Sequence, residues 1–114
     1  MTIDSLAAEI KKTSSEEVVQ RLGDLLLEWK EDDRTVEALT SDVERYIGYT
    51  WISTDELHNR VYYLWSQFRN DSILGIQGMT MNERLFTFGL ISRFDAASTA
   101  GSREVLYAKL LARA

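Results

Sequence analysis

Two residue types that usually support chemistry are missing or nearly missing from the sequence. It contains no cysteine and a single histidine, His58. Without cysteine the chain can form no disulfide, no cysteine-ligated zinc site and no thiol nucleophile, and this composition fits a reducing cytoplasm. His58 lies at the edge of a predicted helix stripe, with no second histidine one turn away, so we interpret it as a boundary residue. We therefore expect no metal, no cofactor and no enzymatic activity.

Other absences narrow the class of protein further. No apolar run approaches the roughly 18 residues that a membrane span needs, and no signal peptide opens the sequence. The net charge of −5 argues against binding to nucleic acid, which normally requires a basic face. The glycines lack the spacing of phosphate-binding and dinucleotide-binding loops. We expect a cytoplasmic protein that contacts neither a membrane nor a nucleic acid.

What remains is a composition suited to one helical domain. The chain has 114 residues, of which 45% are hydrophobic, and this is enough for a single core over residues 1–114. No proline interrupts the helix interiors. Apolar residues recur at helical spacing in six segments: 2–12, 14–30, 35–47, 54–68, 80–96 and 102–112. The sequence therefore predicts an all-α bundle of about six helices.

The fifth predicted helix is the one around which the others are expected to pack. Thr80 and Glu83 have the spacing of a capping box at its start. Apolar residues, including Phe86 and Ile91, project from nearly all its sides, which is typical of a buried helix. Gly89 in its middle costs about 1 kcal/mol relative to alanine, and we interpret it as the site of a close helix crossing. The pattern predicts a buried central helix.

Two connections carry apolar residues of their own. The segment 49–53 is β-prone by composition, but no second strand is evident. We therefore expect a connector that buries Trp51, and the composition leaves open whether it is extended or helical. In the loop 70–79, Ile73 and Ile76 are expected to tuck under the bundle.

Charge is distributed unevenly along the chain. Residues 1–57 contain 14 acidic and 6 basic residues, a net charge of −8, and residues 58–114 contain 4 acidic and 7 basic residues, a net charge of +3. Two oppositely charged halves of a small domain either attract each other or leave an acidic surface free for a basic partner. We favour attraction for the charge as a whole.

Acidic residues are densest between the second and third predicted helices. We call this group the acidic turn, and it comprises Glu28, Glu31, Asp32, Asp33 and Glu37. It lacks the alternating ligands and central glycine of a calcium loop. One interpretation is a solvated turn in which Asp33 caps the third helix. The other is a docking surface, because a basic partner would relieve the repulsion among the five carboxylates.

Tyr63 is the other candidate for contact with a partner. It points away from the apolar stripe of its helix, whereas Trp29, Trp65 and Phe68 lie on stripes and are predicted to be in the core. Tyrosine is enriched at recognition hot spots because it offers a large area and a hydroxyl group at low entropic cost. Packing against a neighbouring helix is the competing explanation.

The segment from Gly78 to Asp95 resembles a pattern found in small bacterial helical proteins of unassigned function. The shared pattern is T-x-N-E-R-L-F-x-x-G-L-x-x-x-F-D followed by a short helix, and it covers about 35 residues of this chain. The resemblance implies an immunity protein, which neutralises a toxin encoded beside it. Ser92 and Arg93 stand where that pattern usually has acidic residues.

Three functions from different classes follow from these observations. The first is a cytoplasmic immunity protein whose acidic half binds and blocks a toxin domain, because an acidic binder can occupy a basic substrate cleft. The second is a helical adaptor or homo-oligomeric structural protein. The third, a small-ligand binder or enzyme, ranks last because the sequence offers no polar constellation for it.

Overall fold

A computed structural model describes residues 1–113, and within them the chain forms seven α-helices and no strand. The helices are α1 (Ile3–Thr13), α2 (Glu17–Trp29), α3 (Val36–Tyr49), α4 (Asp55–Phe68), α5 (Met81–Thr87), α6 (Ile91–Ala96) and α7 (Ala100–Lys109). A π-helical turn, Arg69–Ile73, continues α4, and a 3-10 turn, Ile76–Gly78, precedes α5. The prediction of an all-α bundle is confirmed.

The first four helices form the frame of the bundle. Threonine side chains cap α1, α3 and α4, where Thr2, Thr35 and Thr54 each accept a hydrogen bond from a backbone N–H of the first turn. Helix α1 packs against α2 and α4, and α2 packs against α3. Their buried faces supply most of the core: Ile3, Leu6, Ala7, Ile10, Val19, Leu22, Leu26, Trp29, Val36, Leu39, Val43, Ile47, Val61, Leu64, Trp65 and Phe68.

A chain of aromatic rings joins these helices at the centre of the core. The ring of Phe88 lies 5.8 Å from that of Trp29 on α2 and 5.6 Å from that of Phe68 on α4, edge to face in both pairs. Phe68 in turn lies 6.3 Å from Trp65. Such pairs stabilise a core by about 0.5–1.5 kcal/mol each beyond the burial of their area. Trp29, Trp65 and Phe68 are therefore core residues, as predicted.

The segment predicted as one central helix is divided into two. Helix α5 ends at Thr87 and α6 begins at Ile91, because Gly89 between them has a φ of +68°. This left-handed conformation interrupts a right-handed helix and suits glycine, which has no Cβ. The most buried apolar residues of the segment surround the break: Leu85, Phe88 and Leu90. The prediction of a continuous buried helix is wrong, although Phe88 does lie at the centre of the core.

The prediction for the connector 49–53 is wrong, and the prediction for the loop 70–79 is confirmed. Trp51 is 78% exposed, so the prediction that it is buried is wrong; its neighbour Ile52 is the buried residue of that connector. Ile73 and Ile76 are buried as predicted.

Among the residues that the structure describes, no helix has the length and apolarity required to cross a bilayer.

Candidate protein-binding surface

The turn between α2 and α3 folds back against the end of α2. Trp29, the last residue of α2, is fully buried, and its indole N–H donates a hydrogen bond of 3.1 Å to the carbonyl of Thr35. Thr35 caps α3, and its side chain accepts a hydrogen bond from the backbone N–H of Ala38. The interpretation that Asp33 caps this helix is therefore wrong. The indole bond fixes the distance between the end of one helix and the start of the next.

A buried lysine from α7 holds the backbone of this turn. Lys109 is fully buried, and its Nζ donates hydrogen bonds to three carbonyl groups, of Trp29 at 2.5 Å, Asp32 at 2.7 Å and Arg34 at 2.9 Å. The same Nζ lies 3.8 Å from the centroid of the Trp29 ring. The last carbonyls of a helix have no partner within it, so Lys109 supplies the donor that the end of α2 requires.

Arg93 on α6 binds the same turn from the side. Its guanidinium Nη1 donates to the carbonyls of Lys30, at 3.0 Å, and Asp32, at 2.6 Å. Its Nη2 lies 2.5 Å from the Asp33 carboxylate. Arg93 and Lys109 together bind four backbone carbonyls of the turn, those of residues 29, 30, 32 and 34. The backbone of the turn is thus bound to both α6 and α7.

Asp32 is the acidic residue most involved in this arrangement. Its carboxylate accepts hydrogen bonds from the backbone N–H of Arg34 at 2.9 Å, from the Arg34 side chain at 2.8 Å and from Lys109 at 3.1 Å. Burial raises the pKa of Asp32, but these hydrogen bonds outweigh burial and hold the pKa below its ordinary value of 3.8. Burial also lowers the pKa of Lys109 from 10.5, and its hydrogen bond with Asp32 opposes that shift.

The other three acidic residues of the acidic turn are glutamates, which are exposed and form no ion pair within residues 1–113. We call Glu28, Glu31 and Glu37 the glutamate trio. Glu37 lies in the first turn of α3, where the helix dipole favours a negative charge. The acidic turn therefore divides into two aspartates that bind cations of the same chain and three free carboxylates.

Tyr63 lies apart from the acidic turn, on the outer face of α4. It is half-exposed, and its hydroxyl accepts a hydrogen bond of 2.8 Å from Gln67 one turn later. Within residues 1–113, no hydrogen bond joins it to the turn. Tyr63 thus shares no contact with Arg93 and Lys109, which bind Asp33 and Asp32 of the acidic turn.

The lone histidine takes part in a contact between helices. His58 is half-buried, and its Nε2 lies 3.3 Å from the carbonyl oxygen of Ile47 at the end of α3. Within residues 1–113, no group of three or more histidine, cysteine, aspartate or glutamate residues is arranged to hold a metal ion.

Arg93 and Lys109, the two residues that bind the turn, were not predicted as functional residues from the sequence. One available signal was the position of Lys109, three residues after the core residue Leu106 and therefore on the inward face of α7. Another was the excess of positive charge in residues 58–114, which favours pairing with the acidic first half of the chain.

Comparison with known proteins gives no relative for this chain: no family model, no curated protein and no solved structure matches it. The surface is therefore interpreted from its own residues.

Proposed function

We propose that the chain is a non-catalytic binding protein that neutralises a basic toxin domain in the cytoplasm, in the manner of an immunity protein. The observation that supports binding is the glutamate trio, three exposed carboxylates with no ion pair within residues 1–113, which lie at the end of α2, in the turn and at the start of α3. The resemblance of residues 78–95 to small bacterial helical proteins supports the choice of a toxin as the partner.

Fixing the turn before binding favours this role. Arg93 and Lys109 already hold the backbone of the turn, so a partner does not have to order it, and less conformational entropy is lost on association. Within residues 1–113 the trio carboxylates form no ion pair, so an incoming lysine or arginine displaces none there. Charges at the rim of an interface mainly raise the association rate and make it salt-dependent.

The test is a charge reversal limited to the trio. A partner is first captured from the native host, and its association with the wild-type chain is measured over a series of salt concentrations. The variant Glu28→Lys/Glu31→Lys/Glu37→Lys should bind about 10- to 100-fold more weakly at low salt and lose most of the salt dependence. Reversing Asp32 or Asp33 would also disturb the fold, because these two residues bind Lys109 and Arg93.

A matched control keeps the change in net charge the same. Asp71, Asp95 and Glu104 are also exposed and form no ion pair within residues 1–113, so their triple reversal to lysine alters total charge equally but leaves the acidic turn intact. The proposal predicts tighter binding by this control than by the trio variant. Equal binding by the two variants would show that net charge alone, and no specific surface, governs association.

The toxin part of the proposal has its own measurement. Host cells that express the captured partner should survive with the wild-type chain and not with the trio variant. A captured partner that is acidic, or harmless to the cell, would contradict the proposal and favour the helical adaptor as the function.

A further inference from the structure

A pocket with a volume of about 400 Å³ lies between the start of α5 and the residues that follow α7. Four of the residues that line it carry side-chain hydrogen-bond donors: Gln77, Arg84, Tyr107 and Arg113. Within residues 1–113, none of the lining residues is acidic. We call this space the Arg84 pocket. Its volume is within the range of small-ligand sites, and its charge is opposite in sign to the net charge of −5 on the whole chain.

Arg84 is the buried member of this set, with an exposed fraction of 7%. Its guanidinium donates from Nε to the carbonyl of Met79 at 3.2 Å, and from Nη1 to the carbonyls of Leu110 and Leu111, each at 3.0 Å. The latter two bonds close the end of α7, where Leu111 has a left-handed φ of +57° and the last carbonyls have no partner within the helix. The fold thus uses three of the five N–H donors of the guanidinium group.

The second terminal nitrogen of Arg84, Nη2, is left for another partner. Within residues 1–113 it donates no hydrogen bond. The fully buried side-chain nitrogen or oxygen atoms that lack a hydrogen bond in this part of the chain are limited to Nε1 of Trp65. Nη2 is therefore accessible, and the pocket is the space that the Arg84 side chain lines.

A comparison with Lys109 shows what Arg84 lacks. These two are the buried basic residues of the part of the chain that the structure describes. Lys109 binds backbone carbonyls and also the carboxylate of Asp32 at 3.1 Å, whereas Arg84 binds carbonyls alone and forms no ion pair within residues 1–113. Taking a charge out of water is costly unless an opposite charge compensates it. An anion in the pocket would give Arg84 the compensation that Asp32 gives Lys109.

The other three donors of the pocket can share the same anion. Nε2 of Gln77 donates at 3.4 Å to the carbonyl of Leu111, which Arg84 also binds, so the amide lies beside the guanidinium. The Tyr107 hydroxyl forms no hydrogen bond within residues 1–113. Arg113 is exposed and forms no ion pair in the same range.

We propose that the Arg84 pocket binds a small molecule through a carboxylate or phosphate group. Both groups accept several hydrogen bonds at once from a guanidinium, and the pocket adds an amide, a phenol and a second guanidinium as donors. This inference goes beyond the proposed function, because no residue of the pocket belongs to the acidic turn and the ligand is an anion rather than a basic protein.

The first experiment titrates the purified whole chain with inorganic phosphate and, separately, with acetate, at constant ionic strength and in a buffer that contains no other oxyanion. NMR spectroscopy follows the backbone amides and the side-chain N–H groups. Saturable shifts should concentrate at Arg84, Gln77 and Leu111. A response to phosphate alone would assign a phosphate ligand, and a response to acetate alone a carboxylate ligand.

Variants then test the donors without disturbing the fold, and Arg84 is kept because its loss would also open the end of α7. Tyr107→Phe removes one hydroxyl and keeps the ring that packs against Phe94. It should raise the dissociation constant about 10-fold, as the loss of a hydrogen bond to a charged group does. Arg113→Gln should raise it about 3-fold, because an exposed charge contributes less.

The control is Arg45→Gln, which removes another exposed arginine that forms no ion pair within residues 1–113. Arg45 lies on α3 and does not line the pocket, so this variant should bind the anion as the wild-type chain does. Circular dichroism of each variant checks that the helices are intact.

Four results would overturn the proposal. Neither anion produces saturable shifts, the shifts lie mainly outside the Arg84 pocket, or Arg45→Gln weakens binding as much as Tyr107→Phe. The fourth is binding that occurs only after a Gly-Ser tail is added behind residue 114, because the occupant would then be the chain's own last carboxylate. The measurements need no toxin, so their outcome is independent of the proposed function.

Discussion

Lys109 is a fully buried cation that binds the backbone of the exposed acidic turn. Its Nζ binds three carbonyl oxygens and one carboxylate oxygen of the acidic turn, and a buried ammonium group is tolerated only when it is paired in this way. The backbone on both sides of Glu31 is thereby bound by a residue more than 70 positions away in the sequence.

Lys109→Met keeps the length of the side chain and removes its charge and donors. It should lower the free energy of unfolding by about 2–4 kcal/mol, because buried acceptors at the end of α2 lose their partner. The control Lys12→Met alters a lysine whose side chain is 73% exposed and should change stability by less than about 0.5 kcal/mol. Urea denaturation of both variants makes the comparison. Equal effects would mean that the buried hydrogen bonds contribute nothing beyond a surface charge.

Because of Asp32, the free energy of unfolding should depend on pH in the acid range. Its pKa in the folded chain lies below 3.8, so the unfolded chain takes up the proton first as pH falls. The stability contributed by the charged form is complete above the unfolded pKa and is lost as pH falls through the folded pKa. From about pH 6 to about pH 2, the wild-type chain should therefore lose more stability than Asp32→Asn. Parallel losses in the two proteins would exclude Asp32 as a source of the acid sensitivity.

The contacts of the acidic turn with Arg93 and Lys109 could not be predicted from the sequence. The acidic turn was predicted as a group because its members are close in the chain, and in the structure they are divided among the end of α2, the turn itself and the start of α3. The division into two paired aspartates and three free glutamates was not predictable, because it depends on Arg93 and Lys109, which reach the turn only after α6 and α7 have packed. Local spacing carries no information about such distant partners.

At the level of elements, helical periodicity correctly predicted the helices that have one apolar face and one polar face. Residues 2–12 correspond to α1 (Ile3–Thr13) and residues 54–68 to α4 (Asp55–Phe68), because each has an apolar stripe beside a polar face. Periodicity failed for α5 and α6, where apolar residues on all sides indicated one buried helix. Two short helices that turn at Gly89 bury Leu85, Phe88 and Leu90 and leave Phe86 and Ile91 exposed, and this outcome fits the same sequence.

Gly89 is the residue on which this break depends. A Cβ at this position would impose a strain of roughly 1–2 kcal/mol at its φ of +68°. It would also lie 2.6 Å from Oδ2 of Asp4 and 2.7 Å from Cε of Lys30, and would therefore displace the ion pair between them. We expect Gly89→Ala to lower the free energy of unfolding by about 1–3 kcal/mol in thermal or urea denaturation.

Gly101 in α7 provides the control for that substitution. A Cβ there meets nothing within 4 Å, so Gly101→Ala should stabilise the protein by up to about 0.5–1 kcal/mol through helix propensity. Opposite signs for the two substitutions would support the assignment of Gly89 as the helix break. A neutral result for Gly89→Ala would mean that the chain can form the turn without a left-handed glycine.

At the scale of the whole molecule, the two oppositely charged halves do attract each other. Arg69 binds Glu44, Arg93 binds Asp33 and Lys109 binds Asp32, so three of the seven basic residues in 58–114 pair with acidic residues of the first half. What remains of the acidic excess is concentrated in surfaces such as the glutamate trio. Charge counted along the sequence predicted the attraction but overestimated how many carboxylates are free for a partner.

The three tryptophans lie in three different surroundings, which gives the protein its own set of optical reporters. Trp51 is in water, where an indole emits at long wavelength and is readily quenched by iodide. Trp65 is fully buried among the core helices, and an ammonium group lies over the ring of Trp29. Variants that keep one tryptophan at a time would separate the three emissions. The unlabelled chain would then report contact at the connector through Trp51, unfolding of the core through Trp65 and release of Lys109 through Trp29, each as a separate change in emission wavelength or intensity.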